Sequence, residues 1–506
     1  MKIFLHTLLA CTSFLHARDW PQGSGAGGNF QTSETGPTTW SMALDQNIDW
    51  KVTLPETGQS TPVISKGKVF FTTLKPVEAD AEVGKDIIAW CCDASSGKVL
   101  WKKEIVGKHP LRLSGCFSDS SAPPAVTDGE HVVFVNASSG IACFTLDGDP
   151  VWKQDFFTVG RCLPFLHDGK FVFTRQIYTP EKNGHFPHKY ANASKEMWTQ
   201  LQALDLKTGK IVWTTECGIN MGVSVVPQKL SDGRDVVVTG RGGGHGPPEK
   251  PQGISLVDLA DGKTLWTLPI EKFNATMSFG IRNDQVHFFH GPNHLSVDAI
   301  TGKIVKQVSI IKDVPVCLWN KGERTTEIKT LKKAGSRNIT QTSNLLVGKW
   351  NYFRHYKQPL LGRVNVDEGV VEYLELPLQL SRAPGQDDQL LWFDATKKKM
   401  ETQTIVPNEM KNSRGHVVFG DKRSKGSGWG HVAAPSPSVA GDNLYVPVMN
   451  GTIYVINWKA KTLDENAIVA VNDLGPAGQS YTRASLSFAH GKAYAHTIKA
   501  LICIGK

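Results

Sequence analysis

One pattern of apolar and polar positions recurs along the chain: a short apolar strand, an Asp, a Ser/Thr-Gly-Lys corner, then a strand carrying Trp. It reads Trp90-Cys91-Cys92-Asp93-Ala94-Ser95-Ser96-Gly97-Lys98-Val99-Leu100-Trp101, then Ala203-Leu204-Asp205-Leu206-Lys207-Thr208-Gly209-Lys210-Ile211-Val212-Trp213, then Leu256-Val257-Asp258-Leu259-Ala260-Asp261-Gly262-Lys263-Thr264-Leu265-Trp266. Worn copies run from Thr145 to Trp152 and from Ser296 to Lys306. Gly supplies the positive φ of a tight turn and Asp fixes the corner through nearby backbone amides, so each unit predicts a β-hairpin. The Trp then offers a large flat surface to a neighbouring sheet.

A second pattern precedes each hairpin: an apolar strand, a Gly or Asp-Gly turn, and a strand of aromatic or β-branched residues. The clearest copies start at Thr61, Pro164 and Pro437, and looser ones near Pro124, Pro227, Ser278, Ser343 and Leu486. Eight starts with two hairpins each predict an all-β fold, an eight-bladed β-propeller of four-stranded antiparallel blades. The last unit stops at Ala500–Lys506 without a Trp strand, while Ile48-Asp49-Trp50-Lys51-Val52-Thr53-Leu54 has that strand and no hairpin before it. Pairing the two termini closes the ring and removes the open edges.

Composition narrows the function class. The 506 residues are 40% hydrophobic and 20% charged, enough to bury a large core, and the formal net charge of +9 is scattered along the chain. Nothing in it calls for nucleic-acid binding.

The N-terminus, with Lys2, an apolar stretch to Leu15 and the small residue Ala17, predicts a signal peptide over 1–17 and a periplasmic or secreted protein. Leu8-Leu9-Ala10-Cys11 also fits a lipid-anchoring motif on Cys11, on a shorter apolar run. No later stretch is long and apolar enough for a transmembrane helix. Residues 18–47 then form an N-terminal extension and 48–506 a single propeller domain with a long insertion at about 378–434. Removing Cys11 from nine cysteines leaves an even number, which permits disulfides without fixing their pairing. No Cys-x-x-Cys is present, so neither a zinc ribbon nor a c-type haem site is indicated.

At the repeated apolar-Asp-x-x-Thr-Gly-Lys-x-apolar-Trp units the chain resembles the PQQ-like β-propeller family, over about residues 48–506. The opening Asp19-Trp20-Pro21-Gln22 is similar to secreted bacterial members. That resemblance implies the propeller fold and leaves activity open, since the family includes quinoprotein alcohol dehydrogenases and outer-membrane assembly scaffolds. For a dehydrogenase it would imply PQQ stacked on a Trp above Ca2+ held by carboxylate and amide oxygens, with an Asp base and an Arg near the quinone oxygens. That set does not map in full onto this sequence. Vicinal cysteines such as Cys91-Cys92 form a disulfide ring beside the cofactor in relatives resembling methanol dehydrogenase. Here the pair falls within a strand, where alternation points the two thiols to opposite faces and packing is the expected role.

The architecture also gives candidate ligand-binding residues. Loops entering the innermost strands face the channel, and they carry Gln59, Asp119, Arg161, Asn220, Trp429, His431 and Arg483. Arg241-Gly242-Gly243-Gly244-His245-Gly246 adds a backbone that a ligand could approach closely, with Arg241 and His245 as donors. Gly23, Gly25 and Gly28 satisfy G-x-G-x-x-G with no strand before and no helix after, so they are not a dinucleotide loop. The expectation is an exported, non-catalytic propeller presenting its mouth to a protein partner or small ligand; the alternative is a PQQ- and calcium-dependent dehydrogenase of an alcohol or sugar.

Overall fold

Each of the eight starts becomes the innermost strand of a sheet. In the computed structural model the described residues are 19–113, 121–156, 158, 162–176, 182, 198–219, 225–242, 249–273, 278–320, 323–332, 339–340, 344–356, 358–376, 380–381, 390–391, 409–411, 417–420, 429, 435–475 and 479–506. Blade 1 comprises Val63–Ser65, Lys68–Leu74, Ile87–Asp93 and Val99–Ile105, in that order from the centre outward. Blades 2 to 5 repeat this order over 126–154, 165–214, 228–269 and 280–309, blade 6 over 345–375 and blade 7 over 438–473. Innermost strands of blades 8 and 1, 1 and 2, 2 and 3, and 5 and 6 touch, and shared apolar cores link blades 3 to 6, 6 to 7, and 7 through 8 to 1, so the sheets form a closed ring.

Blade 8 is built from both ends of the chain. Ser487–Ala489, Lys492–His496 and Ala500–Ile504 supply its inner three strands, and Ile48–Thr53 pairs antiparallel with the last of them as the outermost. The expected closure is therefore present.

Inner strands are apolar on both faces because each blade is sandwiched between two others. Phe70 and Cys91 pack in the core shared with Phe134 of blade 2, while Val69, Phe71 and Cys92 pack in the core shared with Tyr494 and Ile502 of blade 8. The adjacent thiols thus enter separate cores, and burial pushes both up to about 12. All seven described cysteines are free and buried.

The tryptophans join one blade to the next. The Trp50, Trp101, Trp152 and Trp266 indoles donate to the carbonyls of Ala94, Leu146, Leu206 and Ala299, in each case on the following blade. At the receiving corner Asp205 Oδ1 accepts from the Thr208 amide (2.8 Å) and hydroxyl (2.6 Å), and this holds its carboxyl below the usual range. Gly209 must be glycine twice over: its φ is +68°, and a Cβ would sit 2.7 Å from the Trp152 ring.

In antiparallel blades the first and third turns share one face of the ring, here the turn face. The remaining connections share the other, the loop face. The first part of the N-terminal extension, residues 19–32, lies at the turn-face end of the channel. Trp20 exchanges two backbone hydrogen bonds with Ile64 of blade 1 at 2.9 Å each, and Thr127 N of blade 2 donates to Pro21 O at 2.9 Å. On blade 3 the Leu166 amide donates to the Gln22 side chain at 2.9 Å. Gln31 Nε2 donates to Leu346 O of blade 6 at 3.0 Å, and Gln31–Thr32 runs parallel to Ser438–Ala440 of blade 7. The extension thereby satisfies edges that the innermost strands would otherwise leave open to the channel. Trp20 and Ser24 are fully buried in the process.

Blade 6 departs from the four-stranded expectation. A hairpin of Val314–Asn320 and Glu323–Lys329 is added outside its outermost strand through a parallel pairing of Val316 with Tyr373 and Cys317 with Leu374.

Candidate functional site

On the loop face the connection entering blade 1 meets the connection entering blade 8. Arg483 Nη1 donates to Gln59 Oε1 at 3.1 Å, so two residues picked from sequence meet across the seam that closes the ring. Their backbones are fixed from below. Thr72 N donates to Ser60 Oγ (2.9 Å), Ser485 N to Thr61 Oγ1 (3.1 Å) and Ser487 Oγ to Pro62 O (2.5 Å). His496 Nδ1 lies 2.7 Å from Ser60 O, so this nitrogen carries the proton and donates. A Cβ on Gly58 would lie 2.5 Å from Thr72 O and 2.6 Å from the His496 ring, which only glycine avoids. Burial pushes the His496 imidazole down to about 4, so it is neutral near pH 7.

The other candidates fall elsewhere. Arg241 ends the second strand of blade 4 and is engaged within its blade: it pairs with the buried Glu249 at 2.5 Å and donates to Ser255 Oγ (3.2 Å) and Thr267 Oγ1 (2.7 Å). Trp429 is 3% exposed. Its indole donates to His355 O at 3.1 Å, Arg354 lies over its ring at 5.8 Å, and Tyr454 meets it edge-on. It anchors the connection between blades 6 and 7, and its face is already covered. Asp119, Arg161, Asn220, His245 and His431 lie outside the described residues.

Two buried basic residues went unread in the sequence. Arg354 and His496 each take the fifth position of a second strand, where blades 1, 3 and 4 have Thr72, Thr174 and Thr239. A basic side chain in a threonine slot was the available signal. Arg354 Nη2 donates to Pro435 O at 2.5 Å, and burial lowers its guanidinium to about 9.

The turn face carries a cavity of about 580 Å³ between the N-terminal extension and blades 3 to 6, lined by Gln22, Asn29, Gln31, His167, Gln228 and Arg282 among others. Much of its polar lining is already engaged. Gln22 and Gln31 hold strand edges as described, Gln228 bonds both Ile281 N and Phe279 O of blade 5, and Arg282 pairs with Asp367 at 3.1 Å. The described residues bring no three His, Cys, Asp or Glu side chains together as a metal site.

This closed ring of eight blades, several of them joined by tryptophans, defines a β-propeller. The family model described as outer membrane protein assembly factor BamB matches residues 84–303, which cover most of blades 1 to 5. With the apolar strand starts running on through the remaining blades, this match supports a likeness of the chain to the PQQ-like β-propeller family. Among solved structures it is similar in fold to a europium-containing methanol dehydrogenase, at TM-score 0.54 and 11% identity over 94% of this chain and 89% of that one. It is likewise similar to the quinohemoprotein alcohol dehydrogenase from Comamonas testosteroni, at TM-score 0.51 and 12% identity over 97% and 81%. No curated protein matches the sequence. No helix among the described residues is long and apolar enough to cross a membrane.

Proposed function

We propose that the protein is an exported, non-catalytic propeller whose loop face presents a rigid rim to a protein partner or small ligand. The observation that carries this reading is the Gln59–Arg483 bond. Both residues join blade to blade across the ring's seam, and the backbones beneath them are tied by hydrogen bonds, so the rim is preorganised for recognition. The family model's description as an assembly factor supports the same reading.

PQQ and Ca2+ do not fit the described residues. No three His, Cys, Asp or Glu side chains gather among them, Cys91 and Cys92 enter separate cores, and the Trp429 face is covered. The test is to titrate the purified protein with PQQ and Ca2+ while following quinone absorbance and dye reduction. This reading expects no turnover; tight binding with turnover would establish the dehydrogenase instead. If an anionic ligand binds the rim, Arg161→Ala and Arg483→Ala should weaken it with the fold intact, and unchanged affinity would remove the rim from consideration.

A further inference from the structure

The hairpin added to blade 6 leaves Glu323–Lys329 as an outer strand that pairs with no other described strand along its far edge. Its two strands are joined by two residues between the paired Asn320 and Glu323. A two-residue hairpin closes on a hydrogen-bonded pair, and such pairs then alternate. Glu323, Thr325, Glu327 and Lys329 therefore bond inward, and the backbone groups of Arg324, Thr326 and Ile328 face outward. Pro315 agrees with this assignment: it stands opposite Ile328, a non-hydrogen-bonded pair where its missing N–H costs nothing. At 68% exposure, Ile328 is the most exposed large hydrophobic residue among the described residues.

We propose that this edge is a self-association site, at which a second copy of the chain adds its own Glu323–Lys329 strand antiparallel about a two-fold axis through Thr326. The occupant follows from the charge pattern. Only the register centred on Thr326 pairs all three outward-facing residues, Thr326 with Thr326 and Arg324 with Ile328 in both directions. That same register sets Glu323 of each copy opposite Lys329 of the other. Centring on Thr325 or Glu327 instead opposes like carboxylates, Glu323 to Glu327 or Glu327 to itself. Parallel in-register stacking opposes every charge to its like, so the sequence permits a closed dimer and resists an open fibre.

Sedimentation velocity on the intact protein over a concentration series tests this. The wild type should show a reversible monomer–dimer equilibrium. Thr326→Pro removes an outward amide that the hairpin does not use, and should raise the dissociation constant at least about tenfold. Glu323→Lys and Lys329→Glu each act twice across the two-fold and should each weaken the dimer by about tenfold, while the double variant restores it. These exchanges keep the hairpin's backbone bonds, and Glu323→Lys also keeps the Lys329–Glu327 ion pair that Lys329→Glu breaks, so Glu323→Lys and its rescue decide the matter even if the proline variant fails to fold. A wild type that stays monomeric overturns the proposal, as does a dimer indifferent to all three single substitutions or a double variant no tighter than the singles.

Discussion

The Trp152 indole donates to Leu206 O at 2.7 Å, reaching from the outermost strand of blade 2 to the corner of blade 3, and its ring covers Gly209. The contact locks one blade's rim onto the next blade's tightest turn. Gly209→Ala should therefore suffer both ways, from a positive φ that costs about 1–2 kcal/mol for an L-residue and from displacement of the indole. A total loss of about 2–4 kcal/mol in urea unfolding is expected. A change below about 0.5 kcal/mol, within the range of a neutral surface substitution, would mean that this corner does not carry the joint.

Blade 5 joins its neighbour without a tryptophan. Lys306 occupies the corresponding position and donates to Val366 O (3.2 Å) and Asp367 O (2.7 Å) of blade 6. Gly369 stands ready at the receiving corner, with φ +83° and Lys306 Cε 3.4 Å from where its Cβ would be. Lys306→Trp is thus expected to be tolerated and to stabilise by up to about 1 kcal/mol through added aromatic burial. A clear destabilisation would show that the blade 6 corner has diverged from the others.

Stability should fall in mild acid. His496 and His287 are buried, and burial lowers both to about 4 from an ordinary 6.5. Between those values the unfolded chain holds a proton that the folded chain lacks, so this contribution is fully present above pH 6.5 and is lost as pH falls toward 4. Each histidine supplies about 3 kcal/mol of that loss. His496→Gln keeps a donor for Ser60 O and removes one titration, so urea unfolding from pH 7 to 4 should show a shallower slope for the variant. Identical slopes would mean that His496 is accessible to protons in the folded state.

The ring was legible because its information is local. Each Asp-Thr-Gly-Lys corner states its own turn, each apolar start its own strand, and the unpaired Trp50 strand its missing partner. The N-terminal extension was not legible in this way. Gly23, Gly25 and Gly28 belong to a segment whose partners are edges on strands such as 63–65, 165–167 and 438–440, which only the closed ring brings together. At the loop face, the repeat alone places Gln59 and Arg483 in connections entering innermost strands, while their meeting across the seam follows only from the closed ring. Arg241 and Trp429 show the limit of that argument. Position selects a residue type, but Glu249 and Arg354, which engage these side chains, are distant in pattern though near in space. The paired strands over 314–320 and 323–329 went unread because the repeat left no slot for a fifth and sixth strand.

Whether one blade is shared by both termini can be measured by cross-linking. Thr53 and Ala500 are register partners in blade 8, and the neighbouring Leu54 N→Lys499 O bond makes theirs a non-hydrogen-bonded pair, the closer kind. In Thr53→Cys/Ala500→Cys, mild oxidation should yield a single intrachain disulfide, identified by mass mapping of the unreduced peptides, together with a raised Tm. Failure to form that bond in the folded monomer, or its appearance only between chains, would contradict a ring closed by its own first strand.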